Sequence, residues 1–137
     1  MAQHTLVNPA GLHDPVPYGY SHTAAVPAGA GLVLIAGQYG SGPDGAVVGA
    51  DFEAQVGQSF RNLATALAAH GLDLADVAQL RTYVVDHDFA RLGVIAGAVK
   101  EAWGDRPPVQ TLLGVASLAA PDVLFEVEAV AVRAPAE

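Results

Sequence analysis

A chain of 137 residues, 52% hydrophobic and 15% charged, has apolar side chains enough for one compact core, while two domains would be a squeeze. Fourteen Asp and Glu against six Lys and Arg leave a formal charge of -8, which repels phosphate backbones and anionic headgroups and speaks against nucleic acid and membrane surfaces as partners. The absence of cysteine removes disulfides, thiolate nucleophiles and Cys-based zinc sites. The opening "MAQHTLVNPAGLHDP" has no basic region followed by an apolar stretch, and no later apolar run approaches bilayer-spanning length, so a soluble cytoplasmic protein with a single domain over residues 1–137 is expected. The charged fraction lies below the usual quarter or so, which predicts that part of the surface is hidden against copies of the same chain.

In chain order, the first 20 residues carry Pro9, Pro15 and Pro17 and read as an irregular segment wrapping over a sheet. "SHTAAVPAGAGLVLIAGQYGSGPDG" reads as two short strands, Ser21 to Val26 and Gly31 to Tyr39, whose natural pairing is a hairpin across a Pro-Gly turn. Asp51 caps a helix whose apolar positions Phe52, Val56, Phe60, Leu63 and Leu67 step by three and four, and Gly71 ends it in a left-handed conformation. "VAQLRTYVV", Val77 to Val85, is rich in β-branched and aromatic residues and predicts a strand. Asp86 or Asp88 caps a second helix with Phe89, Leu92, Ile95 or Ala96, Val99 and Trp103 on one stripe, closed by Gly104. Strands over Val109 to Ser117 and Leu124 to Val132 complete the order ββαβαββ. That order fits an α+β or α/β sandwich, one sheet with two helices on a single face, whose other face needs cover.

The five histidines, His4, His13, His22, His70 and His87, are scattered with no pair at i, i+4 spacing, so no metal site is expected. "GSGPDG" follows a strand, but no helix opens directly after it and no lysine follows, which makes it a turn rather than a phosphate cradle. Ser21 and Ser59 lack the context of a serine nucleophile. The informative residues are polar groups inside strands, because burying an unpaired amide costs roughly 2–7 kcal/mol. They are Gln38, Gln110, Glu126 and Glu128. The period of two puts both glutamates on one sheet face, with Phe125, Val127 and Ala129 on the other. Two readings stand side by side: glutamates on a solvated rim, or a carboxylate at a subunit cleft acting as general base. Gln110 is either a satisfied core amide or a ligand contact, and Tyr20 either packs over the strands or enters the site.

The tyrosine-serine pair in "YGYSHTAAV", the strand "LVLIAGQ", the helix and strand in "FEAQVGQSFRNLATALAAHGLDLADVAQLRTYVVD", the helix start "DFARL", the proline before Gln110 and "SLAAPDVLFEVEAVAV" occur in one order. In that order and spacing they resemble the RidA family, also called YjgF, over nearly the whole chain. The resemblance implies a chorismate-mutase-like α+β fold with one mixed sheet and two helices on one face. It also implies a homotrimer with a small-molecule cleft at each subunit interface and no cofactor. Characterised members hydrolyse enamines and imines such as 2-aminoacrylate to a keto acid and ammonia. Carried over residue by residue, Glu126 matches the glutamate that orients water, Tyr20 the tyrosine that shapes the pocket, and Gly37 the glycine of a serine-glycine-glutamine motif, here "AGQ".

Four positions depart from that pattern. Gln110 falls where the arginine that grips the substrate carboxylate is expected, Ala36 replaces the serine, Gly93 replaces an asparagine, and Leu112 stands at a usually small or polar position. A guanidinium grips a carboxylate through two charge-assisted bonds worth roughly 1.5–3 kcal/mol each, which an amide does not reproduce. Losing about 3 kcal/mol slows hydrolysis of a small amino-acid enamine by roughly 10²-fold. The expectation is a divergent imine or enamine hydrolase with a bulkier, less acidic substrate than 2-aminoacrylate, with Glu126 catalytic and Tyr20, Ala36, Gly37, Gly93, Gln110 and Leu112 around the substrate. The alternative is a non-catalytic small-molecule-binding trimer of the same fold. Arg106, just before the two prolines, and Arg81 are the candidate cations to replace the lost anchor, and neither strand alternation nor the intervening prolines place either of them at the cleft. An endoribonuclease label has also been attached to members of the family, and the charge of -8 argues against RNA binding here.

Overall fold

The computed structural model describes residues 2–135. Six strands and two helices follow one another as β1 (Thr5–Val7), β2 (Thr23–Ala25), β3 (Gly31–Tyr39), α1 (Phe52–Ala68), β4 (Val77–Val85), α2 (Phe89–Trp103), β5 (Val109–Val115) and β6 (Phe125–Arg133), with short 3-10 turns at Val16–Tyr18 and Leu74–Asp76. The main sheet is four-stranded in the order β3-β6-β4-β5. β6 runs antiparallel to β3 and β4, while β4 and β5 run parallel, which is what a helical crossover through α2 permits. Both helices lie on one face, as expected. Val56, Phe60, Leu63 and Leu67 of α1 and Ile95 and Val99 of α2 close over Leu80, Val84, Phe125, Val127 and Ala129 of the sheet.

The helix boundaries follow from local chemistry. Asp51, in extended backbone, accepts the Ala54 N–H at 3.0 Å and opens α1. Gly71 takes φ +69° just past its end, so the chain reverses there without a Cβ penalty. Of the two acidic candidates before α2, Asp88 is the cap, accepting from the Arg91 N–H at 2.8 Å. Asp86 instead takes φ +52° and turns the chain out of β4, a conformation that Asp tolerates better than most residues.

Two expectations are corrected. The hairpin of the second and third strands does not form: β2 pairs with β1, Thr23 opposite Val7 and Ala25 opposite Thr5, and β3 takes β6 as its partner. The Pro27–Ala30 turn interrupts the run, and β6 matches the nine-residue β3 in length where the three-residue β2 does not. The segment before residue 20 is therefore not wholly irregular, since it supplies β1 and a 3-10 turn. Second, Phe89 does not belong to the core stripe of α2. It is 86% exposed, standing at the first turn of the helix on the lining of an open cleft and not in the core.

Buried polar groups tie the loops to this frame. Gln55 donates to Gly49 O (2.8 Å) and Asp122 O (3.0 Å) and accepts from Leu124 N (2.9 Å). Asn62 donates to Tyr39 O and Ser41 O, both at 3.0 Å. His4 is buried with its Nδ1 lacking a partner among the described residues. Burial pulls this imidazole below its ordinary pKa, with Arg106 adding to the effect and Asp76 opposing it. No helix among the described residues is long and apolar enough to cross a membrane.

Candidate functional site

The residues singled out in the sequence sort into three places. Tyr20, Gln110 and Leu112 share a cleft of about 580 Å³ at the β5 edge of the sheet, between α2 and the segment before β2, with His13, Tyr18, Phe89, Leu92, Ile95 and Thr111. Gly37 and Glu126 meet on the opposite, uncovered face of the sheet, with Ala36 exposed beside them. Gly93 stands apart from both, exposed on α2 in the groove between the helices.

At the β5 edge the chain before β2 is fixed by Ser21, whose N–H donates to Pro108 O (3.0 Å) and whose Oγ donates to Pro107 O (2.5 Å). The two prolines place carbonyls, not N–H groups, where this segment docks. Gln110 lies in register with Leu80 and so points to the helix side of the sheet. Its Oε1 accepts from Thr82 Oγ1 at 3.0 Å, and its Nε2 donates to Gly19 O at 2.7 Å. The amide thus staples β4, β5 and the N-terminal segment together. A guanidinium has no acceptor and offers Thr82 nothing. Tyr20 Oη and His13 Nε2 share a hydrogen bond of 2.6 Å, and His22 Nε2 donates to His13 O at 2.8 Å. The His13 ring stands edge-on to Tyr18, Tyr20 and His22 at centroid distances of 6.3, 6.1 and 4.9 Å. Two of the histidines that look scattered in sequence therefore pack ring against ring.

On the uncovered face, β3 and β6 change register between Ile35 and Gln38, opposite Ala129 and Val127. This is a one-residue bulge at Ala36–Gly37, a device that re-aims neighbouring side chains. It lays the Gly37 backbone on the Glu126 side chain. A Cβ at position 37 would overlap the carboxylate oxygen and lie 2.7 Å from Cδ and 2.9 Å from Cγ. Only glycine leaves that carboxylate where it is. Across the sheet Glu126 neighbours Tyr83, and Glu128 neighbours Arg81. The Tyr83 phenol donates to Glu128 Oε1. That bond pushes Tyr83 above the ordinary tyrosine range, aided by burial and opposed by Arg81.

Neither candidate replacement cation reaches the Tyr20 cleft. Arg81 lies on the uncovered face beside Glu128, and Arg106 sits in the turn before β5. Within one chain, Gln110 and Glu126 are two strands apart on opposite faces. Sequence reasoning missed His13, Tyr18 and Phe89 as members of the cleft. The aromatic-rich "LHDPVPYGYSH" was the available signal, and nothing local says that it folds onto α2.

The geometry defines a class first: an α+β domain with an aromatic cleft at one sheet edge and a glycine-pinned carboxylate on its open face. A family model described as Endoribonuclease L-PSP matches residues 13–133. A RutC-family protein of Pyrococcus horikoshii is 33% identical over 121 residues, 87% of this chain and 91% of that protein. The crystal structure of YyfB from Yersinia pestis, described as a protein of unknown function of the Rid family, superposes with a TM-score of 0.89 at 36% identity, covering 94% of this chain and 98% of that one. TdcF from E. coli, solved with bound serine, superposes with a TM-score of 0.66 at 28% identity, covering 80% of this chain and 85% of that one. The chain belongs to the RidA/YjgF family.

Proposed function

We propose that this protein is a cofactor-independent hydrolase of an imine or enamine, acting as a homotrimer on a substrate other than 2-aminoacrylate. The observation that carries the reading is the Gly37–Glu126 contact. A carboxylate is held in place by a bulge, half-buried, on a sheet face that carries exposed Leu32, Leu34 and Leu113 as well as Arg81 and Glu128. Such a face calls for cover by another copy, and the cover would bring one chain's Glu126 towards another chain's Tyr20 edge. Glu126 then takes a proton from water as the water oxygen adds to the imine carbon. The C=N π pair moves to nitrogen, which takes back the proton from Glu126 to give a carbinolamine. The carbinolamine hydroxyl then gives its proton to nitrogen, the remaining C–N bond breaks with its electron pair on nitrogen, and ammonia departs as the carbonyl forms. An enamine first tautomerises to the imine. The serine bound to TdcF is consistent with a small amino-group metabolite as the ligand type. The cleft here has no arginine for a carboxylate, which favours a less acidic one.

A second reading, a binding trimer without turnover, is favoured by the engagement of Gln110 with Thr82 and Gly19, which leaves it a partial anchor. Ammonia release from a panel of imines separates the two. The hydrolase reading expects turnover that Glu126→Gln lowers by at least about 10²-fold, the scale of positioned acid–base catalysis. Equal rates for the two proteins remove the catalytic claim, and saturable binding without release of ammonia establishes the second reading.

A further inference from the structure

The Tyr20 cleft has a composition that selects a ligand class. Its walls are Tyr18, Tyr20, Leu92, Ile95 and Leu112, and its rim is Phe89, 86% exposed. An aromatic ring so exposed beside an apolar cleft is surface open to contact with a ligand. None of the chain's six cations, Arg61, Arg81, Arg91, Lys100, Arg106 and Arg133, lines it. Within one chain, a carboxylate entering here gives up water and meets no Lys or Arg. Besides the His13 imidazole, the side-chain polar groups the cleft offers are the Gln110 amide and the Tyr18, Tyr20 and Thr111 hydroxyls. Gln110 has two of its four hydrogen-bonding positions occupied, leaving one N–H and one lone pair for a ligand. The Tyr20 hydroxyl is held by His13 at 2.6 Å, and the His13 backbone is in turn held by His22 at 2.8 Å.

We infer that this cleft binds an uncharged aromatic group carrying a planar nitrogen function, an amide, imine or enamine without a carboxylate, and that His13 is a positioning residue for the Tyr20 hydroxyl. The ring stacks edge-on among Tyr18, Tyr20 and Phe89. The nitrogen function pairs with the free valences of Gln110. As a statement about substrate choice the inference rests on the hydrolase reading; as a statement about binding it stands separately.

The test uses the intact protein with phenylacetamide and phenylacetate, which share a ring and differ in charge, followed by methyl NMR shifts at Leu92, Ile95 and Leu112. Phenylacetamide is expected to bind saturably and phenylacetate at least about tenfold more weakly. Leu112→Trp fills the cleft and abolishes binding. Phe89→Ala, at a position too exposed to affect folding, weakens it. His13→Phe weakens it as Tyr20→Phe does, while His13→Gln, which still reaches the hydroxyl with a hydrogen bond, restores it. Phenylacetate binding as tightly as the amide, no saturable binding to folded native protein, or indifference to Phe89→Ala overturns the ligand class. Indifference to His13→Phe overturns the positioning role. Amide binding without imine turnover defeats the hydrolase reading alone, and Glu126-dependent turnover without amide binding defeats this inference alone.

Discussion

Gln110 and Gly37 show how far a single residue's meaning depends on its neighbours. In sequence Gln110 is an amide in place of an arginine, which suggests only a lost anchor. In the structure it does something a guanidinium cannot, accepting from Thr82 while donating to Gly19. Gly37 is the converse case, a residue with no side chain whose function is to leave room. Gly37→Ala is expected to swing the Glu126 carboxylate off its position, because the overlap is with a side chain that can rotate. The stability loss should stay within about 1–3 kcal/mol, while turnover falls as far as in Glu126→Gln. Thermal melts beside imine kinetics check this, and native-level turnover in Gly37→Ala would separate the close approach from the site.

Elements packed by the apolar core are tied to one another by polar staples as well. The stripe of α1 was readable because a helix buries one face against a sheet and so repeats every three to four residues. Its cap at Asp51 was readable because a carboxylate before such a stripe satisfies free N–H groups. The role of Gln55 was not. Nothing in its helical neighbours marks it, and of its three partners Gly49 lies in the loop just before the helix while Asp122 and Leu124 come from far along the chain. Gln55→Leu keeps the volume and leaves the Leu124 N–H and two carbonyls unpaired. About 3 kcal/mol of destabilisation is expected. It would appear as a lower urea midpoint at unchanged slope; a midpoint equal to the native one would mean that water replaces the amide there.

At the scale of the molecule, a four-stranded sheet carries both helices on one side and leaves exposed leucines on the other. Leu34 is 75% exposed. An aliphatic side chain so placed in a chain with few charges is consistent with an interface between copies, the same inference that low charge prompted from composition. Sedimentation of the native protein should give the mass of three chains, and Leu34→Asp should give one chain with its fold intact, since the substitution touches nothing buried within the protomer. A native protein sedimenting as a single chain would remove the trimer, and with it the meeting of Glu126 and the Tyr20 edge.

Local periodicity and capping chemistry were enough to read both helices, the four sheet strands and the α+β class, because those signals arise within a few residues of one another. The resemblance reached the family and named Glu126, Gly37 and Tyr20. Pairing was beyond local signals: the strand at Thr23–Ala25 joined Thr5–Val7 and not Gly31–Tyr39, since the choice of partner depends on strand length and on which edges remain free after folding. Only the tertiary structure placed Gln110 and Glu126 on opposite faces of one sheet and gathered His13, Tyr18 and Phe89 around Tyr20. A period of two along one strand says which residues share a face, but which face meets the helices is decided by contacts between segments distant in sequence.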